Sequence, residues 1–210
     1  SFLDGASSPA ELAAAAAVCG YPALALTDHD GVWGSMQFAI ACAGVGVRPI
    51  AGAELTLALD PVGEEPGRRA HVTLLVESAA GYRNLCRLLT EAHAGTRDGP
   101  GRAPGQPSAS LGDLAARAEG LVCLSGCAGE GAVAGAWERT APAAGAATAR
   151  RLLEIFGRDR LRIELQRPYW RHDRARNRWL SGLADRLDIA TVATGNVHAH
   201  SRRRCRLQDA

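Results

Sequence analysis

The sequence predicts an α/β fold of the βα-barrel type in a single domain, and three observations lead there. Short apolar runs alternate with amphipathic or alanine-rich helical stretches along the whole chain. Polar residues with ligand chemistry fall just past the ends of the predicted strands. A length of 210 residues with 47% hydrophobic content suits one domain with a sizeable core and excludes general disorder.

The first element follows from Ser8-Pro9-Ala10-Glu11, a capping box with proline at the first helical position, ahead of an alanine-rich run. A helix is predicted from Pro9 to Cys19, closed by Gly20. Ala23 to Thr27 is a short apolar run cut off by polar residues, which suits a buried parallel strand. Trp33 to Ala43 reads as helix and Val47 to Ala51 as strand. His71 to Val76 is the next strand, and Ala79 to Ala92 a helix with Tyr82, Leu85, Leu88 and Leu89 on one face. The segment 95–110, rich in Gly, Pro, Arg and Ser, predicts a mobile loop. Leu111 to Ala118 reads as a short helix, Leu121 to Leu124 as strand and Trp137 to Phe156 as one helix ending at Gly157. Leu161 to Leu165, Asp173 to Leu187 and Ile189 to Ala193 complete the series as strand, helix and strand.

Such alternation predicts parallel βα units, in either an open doubly wound sheet or a closed barrel. The polar residues discriminate. His29, Glu54, Cys127 and His198 each follow a predicted strand, and in a barrel those positions converge on one mouth. An open sheet gathers ligands at a switch point between two strands. Four contributing strand ends favour the barrel.

Composition narrows little else. The formal charge is +2, and every one of the 24 cations is arginine. The densest basic run, Arg202-Arg203-Arg204 with Arg206, reads as a solvated face ahead of a phosphate contact. The six cysteines form no C-x-x-C pair and no compact disulfide framework, so reduced thiols in a cytoplasmic setting are expected. No apolar run approaches a membrane span, and no signal segment opens the chain. A start on Ser1 rather than Met reads as a piece of something longer.

Taken singly, the ligand-type residues are ambiguous. Thr27-Asp28-His29-Asp30-Gly31 places a histidine between two carboxylates, Asp28 and Asp30, which would orient a metal-bound imidazole from behind. The same residues make an ordinary polar turn with Asp30 as a helix cap. Glu54 alone reads as solvated, His71 as a strand-edge histidine, and Cys127 as a small apolar residue. Asn196 and His198 lie two apart and so share one side of an extended segment. Together they form a set of nitrogen, oxygen and sulfur ligands suited to zinc or manganese, able to activate water and clamp a phosphate ester. No nucleophile-elbow serine and no phosphate-cradling Gly-x-x-x-x-Gly-Lys motif competes with that reading.

The motifs also carry a resemblance. Ser1 to Pro9 resembles the continuation of the first motif of PHP (polymerase and histidinol phosphatase) domains, and Ala25 to Gly31 resembles the second. Arg48 to Glu54, Gly81 to Leu85, Leu124 to Cys127, Ala193 to His198 and Arg203 to Asp209 resemble segments of bacterial C-family DNA polymerases, the replicative polymerase III alpha subunit and its relatives. The first and last segments look closest to the error-prone branch.

The resemblance implies a distorted seven-stranded βα barrel over residues 1–210, its first strand truncated, with a trinuclear metal site and a polymerase palm beyond 210. Residue by residue, the implied ligands are Asp4, His29, Glu54, His71, Cys127 and His198. The His-x-His pair of the first motif is absent from this chain. Asn196 stands where many relatives carry aspartate, a weaker ligand position, so a structural role supporting the polymerase is expected ahead of 3′-5′ exonuclease activity. Implied cofactors are Zn2+ or Mn2+ at this site and Mg2+ for the polymerase. Implied partners are DNA, dNTPs, a sliding clamp and mutagenesis accessory proteins, with no membrane. A free-standing phosphoesterase of the histidinol phosphatase kind and a metal-free bracing module are the alternatives.

Overall fold

Ser8 begins the first helix as its sequence dictates: its hydroxyl accepts the Glu11 N–H at 3.3 Å while Glu11 accepts the Ser8 N–H at 2.9 Å. The computed structural model describes residues 5–61, 68–96 and 106–204. Along them run α1 (Pro9–Val18), β1 (Ala23–His29), α2 (Ser35–Val45), β2 (Arg48–Leu59), β3 (Arg68–Val76), α3 (Ala79–His93) and α4 (Leu111–Ala116). There follow β4 (Leu121–Leu124), α5 (Ala134–Glu138), α6 (Pro142–Phe156), β5 (Leu161–Leu165), α7 (Asp173–Leu187) and β6 (Thr191–Ala193). The predicted mobile loop falls largely on residues 97–105, outside the described residues.

The six described strands form one sheet in the order β1-β2-β3-β4-β5-β6, the order of a barrel, curled as half of one. Its two ends are tied by the chain flanking them. The Ala6 N–H donates to the His198 carbonyl at 2.7 Å, and the His200 N–H donates to the Ser7 hydroxyl at 2.9 Å. Arg204, at the end of the basic run, pairs with Glu11 of α1. The main core joins Leu55 and Leu57 of β2, Val72 and Leu74 of β3, Leu85 and Leu88 of α3, and Leu161 and Ile163 of β5, all fully buried.

Three expectations are corrected. The strands are not all parallel: β3 pairs antiparallel with both β2 and β4. The eight positions 60–67 are too few for a helical crossover, which takes about a dozen residues or more, and β3 accordingly pairs antiparallel with β2. β2 does not stop at Ala51 but runs to Leu59, because Leu55, Leu57 and Leu59 alternate inward and pair along β3. The helix expected from Trp137 to Phe156 is two, since Pro142 supplies no N–H and disfavours helical geometry in the residue before it. Among the described residues all five cysteines are free thiols, and no helix is long and apolar enough to cross a membrane.

Candidate metal centre

The reversed strand explains how His71 reaches the mouth. β1, β2 and β4 to β6 run one way, so their C-terminal ends share an edge, and β3 begins at that edge. His29 ends β1 and stands directly beside Glu54 of β2. Glu54 Oε1 lies 2.8 Å from His29 Nδ1 and 3.3 Å from His71 Nδ1. The two rings meet edge to face with centroids 6.4 Å apart.

Cys127 arrives from the loop after β4. Gly126 there adopts φ +91°, and a Cβ on it would stand 2.1 Å from the His71 carbonyl oxygen, so only glycine permits this crossing. The loop is pinned across β3 by hydrogen bonds from Ala132 N–H to His71 O at 2.8 Å and from His71 N–H to Glu130 O at 3.2 Å. The result is a contact of 3.0 Å between His71 Nε2 and Cys127 Sγ.

That contact shifts the titration of both groups. Burial opposes a cation at His71, but the Cys127 hydrogen bond and the charge of Glu54 outweigh it and raise the imidazole above its usual range. Burial likewise opposes a thiolate at Cys127, yet the His71 hydrogen bond and charge, with the N–H groups of Glu130 and Gly129, hold the thiol below its usual range.

His198 and Asn196 complete one side of a cavity of about 360 Å³, whose walls also include Gly129, Glu130, Gln166, Pro168 and Trp170. His29, Glu54, His71, Cys127 and His198 thus share one cavity. Asn196 is exposed at φ +45°, a left-handed conformation that asparagine adopts readily. Asp4 lies outside the described residues. The Asp28 carboxylate accepts the Gly34 N–H at 2.8 Å, at the start of α2. Asp30, at φ +46°, accepts the Thr56 N–H at 2.7 Å and the Thr56 hydroxyl at 2.8 Å. The Asp30 carboxylate thus pins the end of β1 to β2.

The donor set fits a borderline divalent cation, and one atom points to it. Glu54 Oε1 is buried and, despite its two ring neighbours, makes no hydrogen bond of acceptable geometry. Among the described residues no three such side chains are spaced to hold one ion as they stand. Ligands around a tetrahedral zinc stand about 3.3–3.6 Å apart, as the bond lengths require. The 2.8–3.3 Å contacts here would open by a few tenths of an ångström.

Two residues escaped the sequence reading. Glu164 of β5 is buried with Oε2 unpartnered, while Oε1 accepts from Gln166 Nε2 at 2.8 Å and from the Thr194 hydroxyl. Burial raises its pKa above the ordinary glutamate value. Gln166 also accepts the Ala128 N–H at 2.9 Å, tying β5 to the Cys127 loop. Their spacing of two, inside and just past a short apolar strand, was the available signal.

The chain belongs to the PHP domain family, whose profile matches residues 1–168. Curated relatives are error-prone DNA polymerases. That of Symbiobacterium thermophilum is 41% identical over 212 residues, covering 96% of this chain and 18% of the relative. That of Mycobacterium tuberculosis is 40% identical over 200 residues, covering 94% and 18%. The chain therefore spans less than a fifth of their length and is homologous to their PHP region. Among solved structures, an amidohydrolase from Chromobacterium violaceum with bound sulfate and no metal superposes at TM-score 0.61 and 20% identity, covering 93% of this chain and 84% of that one. A candidate metal-dependent phosphoesterase from Bifidobacterium adolescentis superposes at 0.57 and 15%, covering 95% and 84%. At these identities the likeness speaks for the fold.

Proposed function

We propose that this chain is the PHP domain of a cytoplasmic error-prone DNA polymerase, and that its cavity binds Zn2+ or Mn2+ and acts on a phosphate ester at a DNA 3′ end. The single observation that carries the reading is the buried Glu54 oxygen facing two histidine nitrogens without a hydrogen bond, beside a polarised His71–Cys127 pair. Glu54, His71, Cys127, His29 and His198 would hold the metal, with Asp4 added on the strength of the family resemblance. Divalent cations supply Lewis acidity at a phosphate ester and make water a nucleophile near neutral pH. The protein's own part is to gather the His29 and His71 rings around Glu54, to hold Cys127 against His71, and to leave the cavity open on one side. DNA, dNTPs and Mg2+ would be used by the longer polymerase, with a sliding clamp and accessory proteins as its partners.

Elemental analysis of the purified chain tests the metal: zinc or manganese is expected, and it should fall when His29→Ala or His71→Ala is introduced. Near-zero content in all three proteins would sink it. Shortening of a 5′-labelled single strand in Mn2+ tests the activity. The exposed Asn196, an amide where a carboxylate would bind a cation better, favours a second reading in which the loaded site only braces the polymerase. Bound metal with no shortening would select it.

A further inference from the structure

We propose that the cavity mouth carries a nucleobase-stacking platform, Trp170 with Tyr169 beside it, that receives the last bases of a single-stranded nucleic acid. The inference rests on the proposed phosphate-ester site and adds the part of the substrate that is not phosphate. The cavity's ligand side is nitrogen, oxygen and sulfur, but the wall formed by the loop after β5 is Pro168 and Trp170. Trp170 is half exposed, at 50%, and its indole lies against Gly129, where a Cβ would stand 3.1 Å from Cη2.

The ring is held from behind. The guanidinium of Arg176 lies 5.7 Å from its centroid, and Arg176 is wholly buried. That cation is fixed by Glu138 at 2.7 Å, Asp173 at 2.8 Å and the Gln166 carbonyl at 3.0 Å. The backbone N–H of Trp170 donates to the Asp173 carboxylate at 3.0 Å, fixing the loop that carries the ring. A flat ring anchored to a buried cation on one side and open to the cavity on another is pre-organised for stacking.

Tyr169 adds an independent observation. It sits at φ +67°, a strained conformation for a bulky residue, with 82% of its surface exposed. Packing gives nothing back for that strain. The Arg167 guanidinium stands 5.8 Å from its ring centroid, and Arg171 and Arg174 follow, exposed and without a carboxylate partner among the described residues. Two rings adjacent in the chain, one with Arg167 against it and Arg171 and Arg174 following in sequence, extend beyond what a small sugar phosphate needs. They match successive bases joined by phosphates, since every base offers a π face and arginine binds phosphate in a fork.

The test is anisotropy of labelled single strands of about ten nucleotides added to the whole chain in chelator, so that neither metal nor hydrolysis enters. Oligo-dT should bind about tenfold tighter than an abasic strand of equal length, the scale of one stacked base. Trp170→Ala and Tyr169→Ala should each erase most of that preference, and Trp170→Phe should restore it. Thymidine monophosphate should compete, and ribose 5-phosphate should not. Equal binding of the two strands, or a preference surviving both alanine variants, would overturn the platform whatever the metal analysis gives. If Trp170→Ala melts early, the exposed Tyr169→Ala decides alone.

Discussion

His71 Nε2 and Cys127 Sγ lie 3.0 Å apart, joining the start of β3, which alone runs in reverse among the described strands, to the loop that follows its neighbour β4. The contact holds the Cys127 thiol below its usual range, toward the thiolate form that binds a metal. Loading the chain with Co2+ should therefore give a sulfur-to-metal charge-transfer band in the near ultraviolet. Cys127→Ser should abolish the band while leaving the far-ultraviolet circular dichroism unchanged. A band of full strength in the serine variant would remove Cys127 from the ligand set.

Gly126 makes that contact geometrically possible. A side chain there meets left-handed strain and the His71 carbonyl together. Gly126→Ala should cost about 2 kcal/mol or more, the strain alone accounting for about 1–2. Urea unfolding reads the loss of stability. Metal content should drop in the same variant, because the loop can relax only by carrying Cys127 away from His71.

Glu164 gives a pH dependence with a defined sign. Burial raises its pKa above the ordinary 4.5, so the native state holds its proton more tightly than the unfolded chain does. Stability from this group is complete below the ordinary value and is lost as pH rises through the raised native one. Glu164→Gln removes that loss and can keep an oxygen for Thr194. Melting temperatures should then favour the variant increasingly from acid toward pH 8, and a gap constant with pH would contradict the assignment.

Much of this was legible in the chain. β4, β5 and α7 have the bounds that their apolar runs and flanking residues predict, and His29, Glu54, His71, Cys127 and His198 do line one cavity. What escaped has physical reasons. The direction of β3 depends on the length of the connection before it, which hydrophobic periodicity does not encode. Glu54 was expected past a strand end, yet it sits within β2, because pairing with β3 carries the strand through a polar residue. Glu164 and Gln166 were hidden because polar residues in and just past a short strand look like a solvated face until the sheet curls around them. Nothing in the sequence singles out Trp170; the buried Arg176 of α7 reveals that it is held.

The Ala6 to His198 hydrogen bond bears on synthesis of the chain. It joins residues almost the whole sequence apart, and the cavity it borders draws on side chains from His29 to His198. Most of the cavity's ligands are therefore made long before its last wall exists. A ribosome-bound chain stopped before residue 190 would hold Glu54, His71 and Cys127 with that wall missing, so metal capture should come late and would report completion of the fold.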